Sequence, residues 1–343
     1  MLFGIDLGSK YIKVCKFIGQ QNESALSVLC AMKYVKNNID DQKKTLTDIM
    51  NELNIRDNYF ISANSTDTIS RNVILPKSIK QKDMDAAVLT NIEQSVHDDL
   101  NKMFKSYMIT KELSDKENNI LFIATPKKKI NEKIQVVNEI TTARLVGVSI
   151  DAIALTNAFN AFGPQYKSEE TLILVNVGDL FTNIVVLHKQ EIVFMKDIAF
   201  GGADITKEIA SLYAQPKDLS EYSKKQPISD DLAEYLKRND DLWDKVGLSI
   251  KGVFKKSSAN LLETIFRTIE YCITRQAIVA VDRIVLTGGG SVVKGFDSFI
   301  KDTLGIPTEK WNPFENNKVQ GTVKKEYGFF MPVALGLALE KDN

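Results

Sequence analysis

The sequence predicts an α/β fold built from two similar lobes, and three observations carry that expectation. Residues 1–17, MLFGIDLGSKYIKVCKF, read as an apolar strand, a carboxylate at Asp6, a tight Gly8–Ser9 turn and a second strand in which Tyr11, Lys13 and Cys15 alternate with Ile12, Val14 and Lys16. Residues 171–187, TLILVNVGDLFTNIVVL, repeat the plan, with Asn176 where Asp6 falls and Gly178 where Gly8 falls, 170 positions later. A unit that recurs half a chain apart suggests a duplicated lobe. Four glycine turns (Gly8–Ser9, Gly178, Gly201–Gly202 and Gly288–Gly289–Gly290) each follow an apolar run. Backbone N–H groups at such turns can approach an anion with no Cβ in the way. As an ordered set they predict a nucleotide cleft between the lobes.

Taken in order, residues 1–75 form the core of lobe one. The first hairpin is followed by a strand and turn over Ser24–Lys36, an amphipathic helix over Gln42–Leu53 (Leu46, Ile49, Met50, Leu53) and a buried strand over Tyr59–Ala63. Three strands, a helix and a strand open a ribonuclease H-like lobe. Residues 76–147 read as an inserted βαββα subdomain. RNVILP (71–76) leads in, a helix spans Lys80–Leu100, strands span Lys105–Lys111 and Asn119–Thr125, and a helix spans Lys127–Thr142. Residues 148–165 carry a small-residue helix, Asp151–Phe162, and a Gly163–Pro164 break.

Residues 166–204 begin the core of lobe two with the second hairpin, a strand over Ile192–Ala199 and the Phe200–Gly202 loop. Residues 205–280 form its outer part: a helix over Asp204–Leu212, a highly charged stretch over Lys217–Asp241 and one long helix over Ile250–Ala280. Residues 281–326 return to the core with a strand over Arg283–Thr287 that runs into Gly288–Ser291. Residues 327–343 end in a helix over Val333–Leu339 that returns to lobe one. Its low polarity predicts packing between elements.

Composition narrows the class. A chain of 343 residues holds two domains and a sizeable core. Its 44 basic residues balance 44 acidic ones, so no net field draws it to nucleic acid. Cys15, Cys30 and Cys272 are odd in number and lack CxxC spacing, so neither a disulfide framework nor a zinc site is implied, which fits a reducing cytoplasm. Met1 runs straight into a core strand, and no uncharged apolar run reaches the ~18 residues of a membrane span. The expectation is a soluble cytoplasmic protein, any membrane association of which comes through a partner. His97 and His188 have no Ser or Cys partner in view and read as structural.

The motifs GIDLGSKYIKV and LVNVGDLFTNIVV are similar to the two phosphate motifs of the actin-like ATPases, and RIVLTGGGSVVKGFDSFIKDTLGIPTEKWNPF to their adenosine motif and tail. RNVILP, FIATPKK, SIDAIALTNAF, FGGADIT and PVALGLALE resemble, in order and position, the PilM family of type IV pilus assembly proteins within that superfamily. The Asn312–Phe314 triplet and the closing Gly336–Leu339 are the more specific signals. The resemblance covers essentially the whole chain and implies an actin-like (ribonuclease H-like) two-lobe fold with an FtsA/PilM-type βαββα subdomain inserted in lobe one.

It also implies ATP and Mg²⁺ as cofactors. Asp6 would hold Mg²⁺ through water, with Asp179 near the metal. The amides of Gly8, Ser9 and Lys10, together with Lys13, would cradle the β- and γ-phosphates. Gly178, Asp179 and Thr182 would close from the other side, alongside the Gly201–Gly202 loop. Glu221 and Lys224 would flank ribose and base, and Gly288, Gly289, Gly290 and Ser291 would back the α-phosphate and adenosine.

Two departures bear on turnover. The family pattern of the second hairpin begins with Asp, whereas this chain has Asn176, and Lys10 replaces a small residue. A neutral amide coordinates metal-bound water less well and cannot act as a base. Both changes favour holding ATP over cleaving it, so no confident catalytic residue emerges. The implied role is a scaffold of the pilus or a related secretion platform. It would bind the N-terminal cytoplasmic peptide of a bitopic PilN-like inner-membrane protein, contact other platform proteins and self-associate. The alternatives are a sugar or acetate kinase-type phosphotransferase, with Asp151 as its candidate base, and an FtsA-like cell-division protein. The latter would need a C-terminal amphipathic membrane helix, and this sequence ends Glu340–Asn343 without one.

Overall fold

The first hairpin forms because two apolar strands meet around a bend that glycine can close. In a computed structural model of the chain, β1 (Phe3–Leu7) pairs antiparallel with β2 (Tyr11–Asn22), setting Asp6 opposite Lys13. The structure describes residues 2–22, 25–36, 38–64, 66–94, 96, 98–112, 116–138, 143–167, 169–213, 229–239, 242–243, 249–275, 278–315 and 318–340.

β3 (Ala25–Tyr34), α1 (Ile39–Glu52) and β4 (Tyr59–Ala63) follow as expected, α1 starting three residues before the expected Gln42 because the Asn38 side chain caps it by accepting from Asp41 N–H. β5 (Ile69–Pro76), α2 (Gln81–Glu93), β6 (Met103–Glu112), β7 (Glu117–Pro126) and α3 (Lys127–Val137) form the βαββα unit around a sheet of order β5-β7-β6. α2 stops short of the expected Leu100. There Asp99 caps a separate 3-10 turn, Leu100–Lys102, which feeds directly into β6. Residues 139–142 of the helix expected over 127–142 lie outside the described residues.

β8 (Leu145–Ile150) was not foreseen. It is the parallel edge partner of β4, and all six of its residues are half-buried, so it carries no alternation to read. It leads into α4 (Asp151–Phe162). In lobe two, β9 (Thr171–Val177), β10 (Thr182–His188) and β11 (Glu191–Ile198) form the meander, and Asn176 sits opposite Asn183 as Asp6 sits opposite Lys13. α5 (Gly202–Tyr213) follows, and then α6 (Asp230–Arg238) inside the charged stretch. The expected long helix is two, α7 (Ile250–Ser257) and α8 (Ala259–Arg275), divided at Ser258. The buried Ser258 hydroxyl donates to the Phe254 carbonyl at 2.5 Å, alongside the Ser258 N–H at 2.9 Å. Phe266 and Ile273 are exposed on α8.

β12 (Arg283–Thr287), α9 (Phe296–Leu304) and β13 (Thr308–Lys310) complete the second sheet, of order β11-β10-β9-β12-β13. β14 (Val319–Gly321) crosses back to the first sheet, of order β14-β3-β2-β1-β4-β8. α10 (Pro332–Ala338) then inserts between β1 and α4 with every residue buried.

Close backbone approach sets that last placement. A Cβ on Gly336 would lie 1.7 Å from the Ala154 carbonyl oxygen, and one on Gly4 would lie 2.1 Å from the Ala334 carbonyl oxygen. Ala152, Leu155, Ala158 and Phe159 of α4 join Ala334 and Leu335 of α10 in a core shared with Leu174 and Val185 of lobe two. Gly336→Ala is therefore expected to destabilise the protein by about 1–3 kcal/mol, the usual range for overpacking a core, seen as a lower melting temperature. An unchanged melting temperature would mean that the two helices separate freely.

Candidate functional site

The two hairpins face each other across a cleft of about 810 Å³. Its walls include Asp6, Gly8, Ser9, Lys10 and Lys13 from lobe one, and Gly178, Asp179, Gly202, Gly288, Gly289 and Gly290 from lobe two. Eleven of the residues anticipated from the sequence thus converge. Thr182, Gly201 and Ser291 stand behind the wall. Thr182 donates to the Phe200 carbonyl at 2.8 Å, Ser291 donates to the Gly288 carbonyl at 2.7 Å, and Gly201 N–H donates to Asp204 at 2.9 Å. Glu221, Lys224 and His97 lie outside the described residues. His188 bonds Thr171 at 2.9 Å at the far end of its hairpin.

The duplicated register carries different chemistry in each lobe. Lys13 Nζ lies 2.6 Å from Asp6 Oδ2, an ion pair across the first hairpin. At the matching positions of the second, Asn176 donates to the Asn183 side chain at 2.8 Å, and Asn183 in turn donates to Asp197 at 2.8 Å. Gly288 has φ +87°, in the region glycine favours, and a Cβ there would meet the Val177 carbonyl oxygen at 2.4 Å. The third glycine run is therefore laid directly on the end of β9.

The hairpin turns also touch across the cleft. Ser9 Oγ donates to Asp179 Oδ2 at 3.3 Å, and Lys10 Nζ lies 3.0 Å from Glu234 and 3.9 Å from Asp179. Arg238 donates to the Tyr11 hydroxyl at 3.3 Å. Glu234, Lys237 and Arg238 were not anticipated. They come from α6, whose Ser229 cap, acidic first turn and basic last turn mark a helix. The Glu-x-x-Lys spacing read at 221 and 224 recurs at 234 and 237, and that repetition was the available signal.

Lys237 Nζ lies 2.6 Å from Glu234 and donates to the Gly202 carbonyl at 3.0 Å and the Thr206 hydroxyl at 2.8 Å. Burial pushes the Glu234 carboxyl up, but the Lys237 charge and hydrogen bonds from Lys237, Thr206 and Lys10 outweigh it and bring it down to about 2.

Deeper in lobe one, Asn64 donates to Asp151 at 2.8 Å and Lys133, from α3, donates to the Leu7 carbonyl. Burial raises the Asp151 carboxyl, reinforced by the Asp6 charge and opposed by Asn64 and Lys133. Burial lowers Lys133, opposed by Asp151 and Asp6.

This arrangement suits a phosphate chain and a sugar. The ammoniums of Lys10 and Lys13 can meet phosphate oxygens, as can bend amides other than those of Gly178, Gly201, Gly202 and Gly288, which donate to Phe181, Asp204, Gly178 and Phe329, while Glu234 can accept from hydroxyls. A divalent cation fits less well. Asp6 is engaged by Lys13 and Asp179 by Ser9 and Lys10, and among the described residues no three His, Cys, Asp or Glu side chains gather as metal ligands.

Comparisons with known proteins agree on the fold. The structure is similar to that of a "PilM-PilN type IV pilus biogenesis complex", at 19% identity and a TM-score of 0.75, covering 98% of this chain and 97% of that one. It is also similar to ethanolamine utilization protein EutJ from Carboxydothermus hydrogenoformans, at 12% identity and a TM-score of 0.51, covering 99% and 90%. These likenesses establish an actin-like two-lobe fold. The family model for type IV pilus assembly protein PilM matches residues 4–342, so this chain belongs to the PilM family of type IV pilus assembly proteins.

Proposed function

We propose that the protein is a nucleotide-binding scaffold of the pilus assembly platform, which captures the N-terminal cytoplasmic peptide of a PilN-like bitopic inner-membrane protein. The observation that carries the nucleotide reading is the pair of glycine hairpins meeting around one cleft, with Lys10 and Ser9 reaching from lobe one to Glu234 and Asp179 of lobe two. The partner reading rests on family membership and on the similarity to a structure that holds PilM with PilN.

Among the described residues no helix is long and apolar enough to cross a membrane, so attachment through a peptide partner suits the chain. The peptide would lie between lobe one and the inserted βαββα unit. Nucleotide would act by setting lobe closure, because the Lys10 and Ser9 contacts across the cleft involve groups that a phosphate chain would engage. Turnover would be slow, since at the register position where lobe one carries Asp6, lobe two carries the neutral Asn176 amide, bonded to Asn183.

Peptides copied from the N-termini of bitopic proteins encoded beside this gene, titrated with and without ATP, test the scaffold reading. One peptide is expected to bind, more tightly with nucleotide present, and binding of none would overturn it. Labelled ATP in a single-turnover experiment is expected to release no phosphate within minutes.

Closure also depends on pH through Glu234. Its carboxyl is depressed from the ordinary 4.5 to about 2, so the stability it contributes is present above 4.5 and lost as pH falls towards 2. In denaturant melts, Glu234→Gln is expected to be less stable than the parent protein at neutral pH, with the gap closing as pH drops through that window. A gap that stays constant with pH would contradict the assignment.

A further inference from the structure

The two hairpins are charge-neutralised from within. Each of their cleft carboxylates already faces an ammonium of the same pair of hairpins: Asp6 faces Lys13 at 2.6 Å, and Asp179 faces Lys10 at 3.9 Å while accepting from Ser9 at 3.3 Å. In the duplicated register the second hairpin offers no further acid, because Asn176 and Asn183 occupy the positions of Asp6 and Lys13 and bond amide to amide. The turn position matching Lys10 is Leu180, so Lys10 has no counterpart in the other lobe. Its side chain spans the cleft, with Nζ 3.0 Å from Glu234.

A hard dication such as Mg²⁺ is usually held by one or two carboxylates together with water and phosphate oxygens, and it dehydrates reluctantly. At Asp6 or Asp179 it would have to displace an ammonium from the carboxylate before it reached a phosphate. An ammonium needs no such displacement. It carries three donors on a flexible stem, and swinging from carboxylate to phosphate exchanges one charge-assisted hydrogen bond for another.

Resting on the nucleotide reading above, we infer that the cleft binds its nucleoside polyphosphate without a divalent cation, with Lys10 and Lys13 supplying the countercharge a metal would otherwise bring. Lys10 is then the residue that determines metal independence. In the nucleotide-free protein it ties the turns together through Glu234 and Asp179, and in the bound protein it turns to the phosphates.

The test is a titration of the full chain with a fluorescent ATP analogue, in excess EDTA and in excess MgCl₂. The two dissociation constants are expected to agree within about threefold, a difference well under the 1.4 kcal/mol of a tenfold change. Lys10→Ala is expected to weaken binding in EDTA by about tenfold or more and to be rescued by Mg²⁺, while Lys10→Arg, which keeps the charge, stays metal-independent. Binding by the parent protein only in Mg²⁺ overturns the inference and leaves the nucleotide reading standing, whereas binding in neither buffer overturns the nucleotide reading itself. A Lys10→Ala protein that binds equally well in EDTA as the parent overturns the role of Lys10. The parent comparison decides metal independence even where a variant folds poorly.

Discussion

The closeness of α10 to α4 is the constraint on which the rest of the molecule depends. At Gly336 the helix backbone lies against the Ala154 carbonyl with no side chain between, and at Gly4 the central strand of lobe one comes as near to α10 from the other side. α4 begins at Asp151, inside the cleft, and its far face packs on the sheet of lobe two. Small residues at this junction (Ala154, Ala158, Ala334, Gly336) let two helices and two sheets share one apolar core. A side chain inserted there would have to push α10 off α4 and β1, on which the placement of the first hairpin rests.

The hairpins show how far duplicated geometry can diverge in charge. Backbone register is kept, with position 6 opposite 13 and position 176 opposite 183. Lobe one fills the register with an ion pair, and lobe two with two amides whose polarity is relayed to Asp197. A neutral pair spares lobe two the desolvation cost that a second buried charge pair would carry. Ionic contact returns between the lobes, where Lys10 at the tip of the first turn meets Glu234 and Asp179.

Much of this was legible in the sequence, because glycine bends after apolar runs and a small-residue helix are local signals. The hairpins, the βαββα unit, α4 and α10 all follow from pattern and spacing. What the chain hides is set by tertiary context. β8 lies at a sheet edge with all its residues half-exposed, so no periodicity announces it. Ser258 looks like any helix residue until burial turns its hydroxyl back on Phe254. Glu234 and Lys237 share the Glu-x-x-Lys spacing of Glu221 and Lys224 but were not singled out, because only packing against α5 brings them to Gly202 and Thr206. The reach of Lys10 to Glu234 joins residues that no local window contains together.

The return of the chain to its first sheet has a consequence for synthesis. β14 and α10 supply an edge and a covering helix to a sheet whose centre, β1, is made at the very start. While the ribosome is still translating lobe two, the face of β1 around Gly4 has no helix over it, and the apolar side of α4 has no partner. Lobe two can close around its own aliphatic centre earlier, since its strands and α5 to α9 are contiguous in sequence. The side of lobe one that α10 covers is therefore completed last, whereas its α1-facing side and the βαββα core close on residues already made, so that one face is what a chaperone would have to shield longest.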